Sequence, residues 1–221
     1  MTTGLEVLLK LLRPVAREQI ERGLGHPETC IPTSRILQAV LGHFGFQSIP
    51  VATEVNVYNG IFAEMIKSFG GQRPTPEQIK PWQEKGAFSV RISSEMATAG
   101  VPIAGTGWDG HLILRVENIV LDGSIEMCNR STKNIILPKL LWVSVDENWD
   151  VGKREAGETL PNGCEVSYTK INDQSWRSTP YWTEQFDGRM RSIANEIVSR
   201  VENQAAAKPN KSSRKTSPSS H

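Results

Sequence analysis

No run of apolar residues in this chain is long enough to cross a membrane. Its longest apolar stretches, VLLKLL and NIILPKLLWVSV, are broken by Lys10, Pro138 and Lys139, whereas a spanning helix needs roughly 20 consecutive apolar residues. The N-terminal segment also lacks the basic region and the small-residue cleavage site that mark a secretory signal. We therefore expect a soluble protein of the cytoplasm that makes no membrane contact.

Cysteine is scarce too, which limits its structural roles. The three cysteines, Cys30, Cys128 and Cys164, are widely spaced and form no C-x-x-C pair, so neither a disulfide framework nor a zinc ribbon is expected. An alternative zinc site built from Cys30 and Cys128 with His26 and His43 lacks a second close pair of ligands. We expect reduced thiols and no metal ion.

Acidic, aromatic and branched aliphatic residues are all absent from the C-terminal stretch 205–221. Four of the 25 basic residues lie there, which leaves 21 basic and 24 acidic residues in the rest of the chain. Because this composition buries too little apolar surface to offset ordering entropy, we expect a disordered basic tail after one domain of residues 1–204. Contact of the tail with an acidic partner is left open, and the slightly acidic domain gives no reason to expect nucleic acid.

Apolar periodicity predicts helices at both ends of the domain. Leucines near the start recur at helical spacing up to Pro14, so that two short helices or one kinked helix precede residue 26. A second periodic segment follows Cys30, and an amphipathic helix of roughly 18 residues closes the domain. The apolar faces comprise Ile36, Leu37, Val40, Leu41 and Phe44 in the former, and Met190, Ile193, Ile197 and Val201 in the latter.

Strand signals fill the middle of the chain. QSIPVATEVNVYNG and FSVRIS have strand character, and HLILRV and NIVLD form a hairpin signal around Glu117 and Asn118. Residues 60–82 predict a short helix and a proline-rich loop, KNIILPKLLWVSV predicts a strand or a short helix, and residues 146–178 show few clear periods. The expected fold class is α+β, with N-terminal helices packed on an antiparallel sheet.

The hairpin brings a histidine and an aspartate close together. His111 begins its first strand and Asp122 ends its second, close to facing positions, where paired residues lie about 5 Å apart. A carboxylate there can accept a hydrogen bond from one ring nitrogen, fix the tautomer and leave the other nitrogen as a base. The alternative is that Asp122 only begins the DGS turn.

Cys30 is the candidate nucleophile, because it lies at or just before a helix N-terminus. Unsatisfied N–H groups there favour the thiolate and can stabilise the oxyanion of a tetrahedral intermediate. The alternative is a small buried hydrophobe, but Cys30 lies in the polar segment GHPETCIPTS, outside the buried stripe of the helix. Gln19 or Gln38 could supply a further oxyanion donor, and the spacing selects neither.

The segment GTGWDG, residues 105–110, matches the glycine pattern of dinucleotide-binding loops without its context. In that motif a helix follows the glycines, because the phosphates bind at the helix N-terminus, whereas here a strand follows. We interpret the glycines as a loop that lets Trp108 and His111 approach a pocket. Trp108 is therefore the candidate substrate-binding residue.

The order of Cys30, a helix, strands, His111, a strand and Asp122 resembles the transglutaminase-like branch of the papain-like cysteine peptidase superfamily. The resemblance covers CIPTSRILQAVLGHFGFQSIPVATEV and GWDGHLILRVENIVLDGS, roughly residues 24 to 125. The helix followed by GF-x-x-x-P-V is similar to lasso-peptide leader peptidases, and HLILRV with VLD is similar to arylamine N-acetyltransferases. The resemblance implies a papain-like, transglutaminase-like fold with Cys30 as nucleophile, His111 as base and Asp122 as the residue that orients it.

These residues predict thiol-dependent acyl transfer or hydrolysis at an amide or ester carbonyl, with no cofactor. The substrate would be a peptide, a protein or a small amide, and peptidase, transglutaminase, deamidase and amidase outcomes differ in what resolves the thioester. One alternative is acetyl transfer from a coenzyme A thioester. Another is a non-catalytic binding or structural protein that kept the fold. In a catalytic protein, Cys30 and His111 should lie within hydrogen-bond reach or slightly beyond it.

Overall fold

The computed structural model of the chain describes residues 3–25, 30–70, 74–93, 108, 110–149, 155–183 and 186–207. The tail predicted to be disordered lies outside the described residues from position 208 onward, and of the predicted glycine loop only Trp108 and Gly110 are described. Within the described part of the chain, no helix combines the length and the apolar character needed to cross a membrane.

The helices confirm the break predicted at Pro14. The first helix ends at Leu12 and the second begins at Ala16, because proline has no N–H to continue the ladder. The second helix ends at Leu24 and is capped by Gly25, whose φ of 79° lets its N–H bond to the carbonyl of Glu21. In chain order the α-helices of the described residues are α1 Thr3–Leu12, α2 Ala16–Leu24, α3 Cys30–His43, α4 Gly60–Ser68, α5 Pro76–Glu84, α6 Pro180–Thr183 and α7 Gly188–Ala206.

The proline-rich loop predicted after α4 is wrong in part, because its second half is the helix α5. Pro76 is tolerated at the first helical position, where its missing N–H would have no intrahelical partner. The side chain of Gln78 accepts a hydrogen bond from the Thr75 N–H at 2.8 Å and stabilises the helix start. Pro81 lies inside the helix and forgoes one backbone hydrogen bond. The capping residues therefore stabilise this helix enough to accommodate both prolines.

The strands of the described residues are β1 Ser48–Tyr58, β2 Ser89–Ile92, β3 His111–Val116, β4 Ile119–Asp122, β5 Leu141–Ser144, β6 Glu155–Thr159 and β7 Glu165–Lys170. They form one antiparallel sheet in the order β5-β4-β3-β1-β7-β6, with β2 also paired to β1. The edge strands β5 and β6 contact each other, so the sheet curls almost into a barrel. The described chain thus combines helices with an antiparallel sheet.

Several strands refine what the sequence predicts. The tight β3-β4 hairpin is confirmed, and the segment around Pro138 leads into a strand, β5, rather than a helix. Residues 146–178, which lack clear periods, contain β6 and β7. The helices are also less segregated than expected, because α4 and α5 lie between β1 and β2 and α7 packs on α1, α2 and α3.

The pleat of the sheet sorts the side chains of the hairpin onto two faces. On β3, Leu114 packs into the core shared with the helices, whereas Ile113 faces the apolar interior of the barrel. On β4, Val120 also faces that interior. Because side chains alternate with a period of two, His111 shares the side of Ile113 and Asp122 shares that of Val120. Both polar side chains therefore point into the barrel.

Two contacts hold α3 against the hairpin. The Ser34 hydroxyl donates a hydrogen bond to the carbonyl oxygen of Leu112 at 2.9 Å. At Gly123, directly after β4, a Cβ atom would lie 2.5 Å from a methyl group of Leu37 and 2.9 Å from the methyl group of Thr33. The helix therefore approaches the chain more closely than a residue with a side chain would allow.

This close approach predicts that Gly123→Ala destabilises the protein by about 1–3 kcal/mol, because the added methyl group overpacks the contact with α3. Gly42→Ala is the matched control, since Gly42 lies in the same helix with no atom within 4 Å of the added position. That control should be neutral or stabilising by up to about 1 kcal/mol through helix propensity. Urea denaturation of both variants checks the prediction, which is wrong if Gly123→Ala unfolds at the wild-type midpoint.

Candidate active site

The structure brings His111 and Asp122 into direct contact. Nε2 of His111 lies 2.6 Å from Oδ2 of Asp122, and the two side chains are 0% and 1% exposed. They are diagonal neighbours: Leu114 pairs with Leu121, and continuing that register places Asp122 opposite Ile113. The diagonal distance across a pair of strands is within reach of an imidazole ring. The carboxylate can therefore hold the ring through Nε2.

Asp122 is surrounded by hydrogen-bond donors in addition to His111. Its Oδ1 accepts from the backbone N–H of Ser124 at 2.8 Å and from the Ser124 hydroxyl at 3.1 Å. Its Oδ2 accepts from the hydroxyl of Tyr168 at 2.9 Å. An ionised carboxylate has about four acceptor positions, so these contacts account for all of them. Asp122 therefore both begins the DGS turn and binds His111.

The contact changes the ionisation of both side chains. Burial alone would lower the pKa of His111, but the charge of Asp122 and its hydrogen bond outweigh burial and raise the pKa to about 10. Burial alone would raise the pKa of Asp122, yet the imidazolium charge and the bonds from His111, Ser124 and Tyr168 lower it. The pair is therefore stable as imidazolium and carboxylate at neutral pH.

Cys30 is the first residue of α3 and is half-buried. The sulfur interacts electrostatically with His111, and this interaction also contributes to the raised pKa of the imidazole. Nδ1 of His111 nevertheless has no hydrogen-bond partner among the described residues. Because Nε2 is occupied by Asp122, Nδ1 is the ring nitrogen left to exchange a proton with the thiol.

The position of Cys30 is determined by the way α3 packs against β3. Ser34 lies one turn after Cys30, and residues four apart share a face of a helix. The Ser34 hydroxyl fixes that face against β3 through its bond to Leu112. His111 precedes Leu112 in the strand, so the first turn of the helix meets the start of β3. The sequence therefore carries both partners, and the packing of α3 brings them together.

The other two cysteines lie in the apolar interior of the barrel. Cys128 is 1% exposed, and burial together with the nearby charge of Asp122 raises the pKa of its thiol to about 12. Cys164 is 0% exposed, and its thiol donates to the carbonyl of Asn134 at 3.2 Å. Neither thiol is therefore as accessible as Cys30.

Trp108 lies in the same neighbourhood as Cys30. It is buried in an apolar cluster against which Cys30 packs, and its indole N–H donates to Oδ2 of Asp173 at 2.7 Å. A Cβ atom at Gly110 would lie 2.4 Å from the indole ring, so glycine is needed for the ring to lie this close to the backbone at position 110. The other members of the cluster are Ile31, Ala52, Leu112 and Trp176, with Ile171, Tyr181 and Trp182 at its edge.

The other candidates from the sequence are the two glutamines considered as oxyanion donors and the residues of the alternative zinc site. Gln38 donates to the carbonyl of Ser48 at 2.9 Å, a structural contact, whereas Gln19 is buried with no partner for its amide nitrogen among the described residues. His43 contacts Glu202 at 3.2 Å on the surface. The described residues contain no group of three or more side chains arranged to hold a metal ion, and His26 lies outside them.

Sequence reasoning missed Tyr168 and Ser124. Tyr168 lies in EVSYTK, where Val166 and Tyr168 alternate with polar residues, a period-two signal for a strand with one buried face. That signal could have identified β7. Only the curling of the sheet places β7 across the interior from Asp122.

Comparisons of the chain with protein-family models, with curated proteins and with solved structures returned no match. The functional argument therefore depends on the geometry of Cys30, His111 and Asp122.

The pKa shifts predict how stability depends on pH. His111 has a pKa of about 10 in the folded chain and 6.5 as its ordinary value, so its contribution is full below pH 6.5 and is lost as the pH rises through 10. Asp122 has a lowered pKa, so its contribution is present above its ordinary value and is lost on acidification. We expect the free energy of unfolding to fall by on the order of 1–4 kcal/mol across the alkaline window.

His111→Gln should remove most of that alkaline decline, and urea denaturation at a series of pH values measures it. His43→Gln is the matched control, because His43 is exposed and forms an ion pair with Glu202, which is also exposed. An alkaline decline of equal size in wild type and His111→Gln would show that the pair does not account for it.

Proposed function

We propose that this chain is a thiol-dependent acyl-transfer enzyme or hydrolase that acts on an amide or ester carbonyl through Cys30, His111 and Asp122. The finer assignment of the fold as papain-like and transglutaminase-like, and a location in the cytoplasm, are part of the same proposal. The observation that carries it is the His111 ring, bound to a buried carboxylate through Nε2 with Nδ1 left for Cys30. This arrangement combines a nucleophile, a base and a residue that orients the base.

The reaction would begin with attack of the Cys30 sulfur on the carbonyl carbon of the substrate. The attacking sulfur would be the thiolate of an ion pair with His111, whose proton already lies on Nδ1 of the imidazolium that Asp122 stabilises. Collapse of the tetrahedral intermediate breaks the bond to the leaving amine or alcohol, which takes the proton from Nδ1. The acyl group remains on Cys30 as a thioester. Water or an amine then resolves the thioester and returns the free thiol.

The start of α3 favours this chemistry. Backbone N–H groups of the first helical turn have no intrahelical partner and lie at the positive end of the helix dipole. They can donate to the oxyanion that forms when the sulfur attacks. Pro32 contributes none of these donors, so the N–H groups of Cys30 and Ile31 remain for this role.

Trp108 supports a substrate site beside the thiol. Its ring lies in the apolar cluster against which Cys30 packs, and its bond to Asp173 holds it there. A peptide, a protein segment or a small amide would place the acyl group near this cluster. The coenzyme A alternative and the non-catalytic alternative predict different results in the experiments below.

Iodoacetamide should modify Cys30 well before Cys128 and Cys164 at neutral pH. Cys128 and Cys164 are buried, and the raised pKa of Cys128 suppresses its thiolate. Peptide mapping by mass spectrometry at several reaction times measures the order, and His111→Gln should slow labelling of Cys30. Equal labelling of all three cysteines in the folded protein would contradict the assignment of Cys30 as an activated nucleophile.

Asp122→Asn should preserve the fold while slowing alkylation of Cys30 by at least about tenfold. The amide can still hydrogen-bond to the ring, but it favours the wrong tautomer and does not stabilise an imidazolium. Thermal melting and alkylation rate are measured together on wild type and variant. A variant that melts several degrees lower yet alkylates at the wild-type rate would mean that Asp122 only braces the hairpin.

A chromogenic ester such as p-nitrophenyl acetate should give a burst of product and leave an acetyl group on Cys30, detected by intact-mass measurement. Cys30→Ser should remove the burst. Acylation by acetyl coenzyme A, with no acylation by peptide amides or simple esters, would favour the acetyltransferase alternative. A wild-type thiol that forms no acyl adduct with any of these donors would favour a non-catalytic protein.

A further inference from the structure

We propose that Tyr168 is a positioning residue for the proposed Cys30–His111 chemistry: its hydroxyl holds the carboxylate of Asp122 in the orientation that binds the histidine ring. This inference rests on the proposed function for its consequence in catalysis. The contact between the three side chains is itself a feature of the fold.

The Tyr168 hydroxyl binds the same carboxylate oxygen of Asp122 that binds the histidine ring. Oδ2 of Asp122 accepts from His111 at 2.6 Å and from Tyr168 at 2.9 Å, whereas Ser124 binds only Oδ1. A carboxylate held through one oxygen can turn about its Cβ–Cγ bond. Tyr168 is the donor that fixes Oδ2 independently of the imidazole, so that the oxygen stays in place when the ring exchanges its proton.

Tyr168 is itself rigidly held. It lies in the middle of β7, paired with Val55 of β1 on one side and Ala156 of β6 on the other, and its side chain is 0% exposed. The hydroxyl therefore reaches Asp122 from the opposite wall of the barrel. Burial and the charge of Asp122 also raise the pKa of Tyr168 well above its usual range, so the hydroxyl keeps its proton and remains a donor at neutral pH.

The titratable groups around the carboxylate are few. Cys30 from α3 faces the histidine, and Cys128 interacts with both Asp122 and Tyr168. Arg17 from α2 lies behind the turn, where its guanidinium is 3.5 Å from the carbonyl oxygen of Gly123. Arg17 forms ion pairs with Glu21 and Glu126, and the charge of Asp122 acts on the thiol of Cys128. Tyr168 is therefore the one donor to Oδ2, besides the histidine, among the contacts described.

Tyr168→Phe tests the inference, because it removes the hydroxyl and keeps the ring. Loss of a donor raises the pKa of Asp122, so protonation of the site on acidification begins at higher pH. We expect the acidic limb of the pH profile of Cys30 alkylation to move upward by about one unit, which is roughly tenfold in rate on that limb. The NMR signal of the His111 Nε2 proton should also shift, because its acceptor oxygen has lost its second donor.

Tyr58→Phe is the matched control. Tyr58 ends β1 in the same sheet, and its ring stacks on Phe62 with centroids 4.9 Å apart, away from the carboxylate. This variant should keep the wild-type pH profile and the wild-type His111 signal. If Tyr168→Phe behaves like Tyr58→Phe in both measurements, Tyr168 is a packing residue and the inference is overturned.

A second substitution covers the case in which Tyr168→Phe does not fold. Replacement of Tyr168 by 3-fluorotyrosine makes the phenol a stronger donor with little change in shape. The acidic limb should then move downward, opposite to the direction expected for phenylalanine. No movement, or movement upward, overturns the inference.

The two proposals can fail separately. The His111 signal does not require a reactive thiol, so it reports on Tyr168 even if wild-type Cys30 proves inert. An inert thiol with a His111 signal that responds to Tyr168→Phe would refute the proposed enzyme and retain the positioning contact. A reactive thiol with an unresponsive signal would refute the role of Tyr168 alone.

Discussion

Two ionisable side chains, His111 and Asp122, are buried in contact with each other at one end of an apolar barrel. Much of the structure around them stabilises this buried pair. A buried charge without partners is strongly destabilising. The carboxylate therefore receives hydrogen bonds from β3, from the turn after β4 and from β7. The register of the hairpin, the sharp turn at Ser124 and the curl of the sheet all satisfy this one requirement.

The same requirement links stability to the proposed chemistry. The bonds that stabilise the buried carboxylate also hold the histidine ring through Nε2 and leave Nδ1 for the thiol. Helix α3 contributes the thiol because it can lie very close to the turn, where Gly123 has no side chain. A substitution that loosens this packing would therefore displace the sulfur from the ring as well as weaken the fold.

The sequence predicted some elements well for identifiable reasons. Strong apolar periodicity and a proline identified α1, α2 and α3, and two short strands around Glu117 and Asn118 identified the hairpin. The helix α5 was missed because proline content was weighed above its capping residues. Strands β6 and β7 were missed because they are short, and β6 contains few apolar residues. Apolar periodicity, prolines and capping residues predict only secondary structure that is determined by residues close together in the sequence.

The sequence alone determined which residues are available for chemistry: a cysteine at a helix start, and a histidine and an aspartate on adjacent strands. It also determined, through the two-residue alternation, that the latter two share a face. Only the tertiary structure decided that α3 meets the start of β3, that Asp122 is a diagonal neighbour of His111, and that Tyr168 reaches Asp122 from the far wall. These contacts join residues up to 78 positions apart in the chain. They depend on how the sheet curls and where the helix packs, which no local pattern of residues specifies.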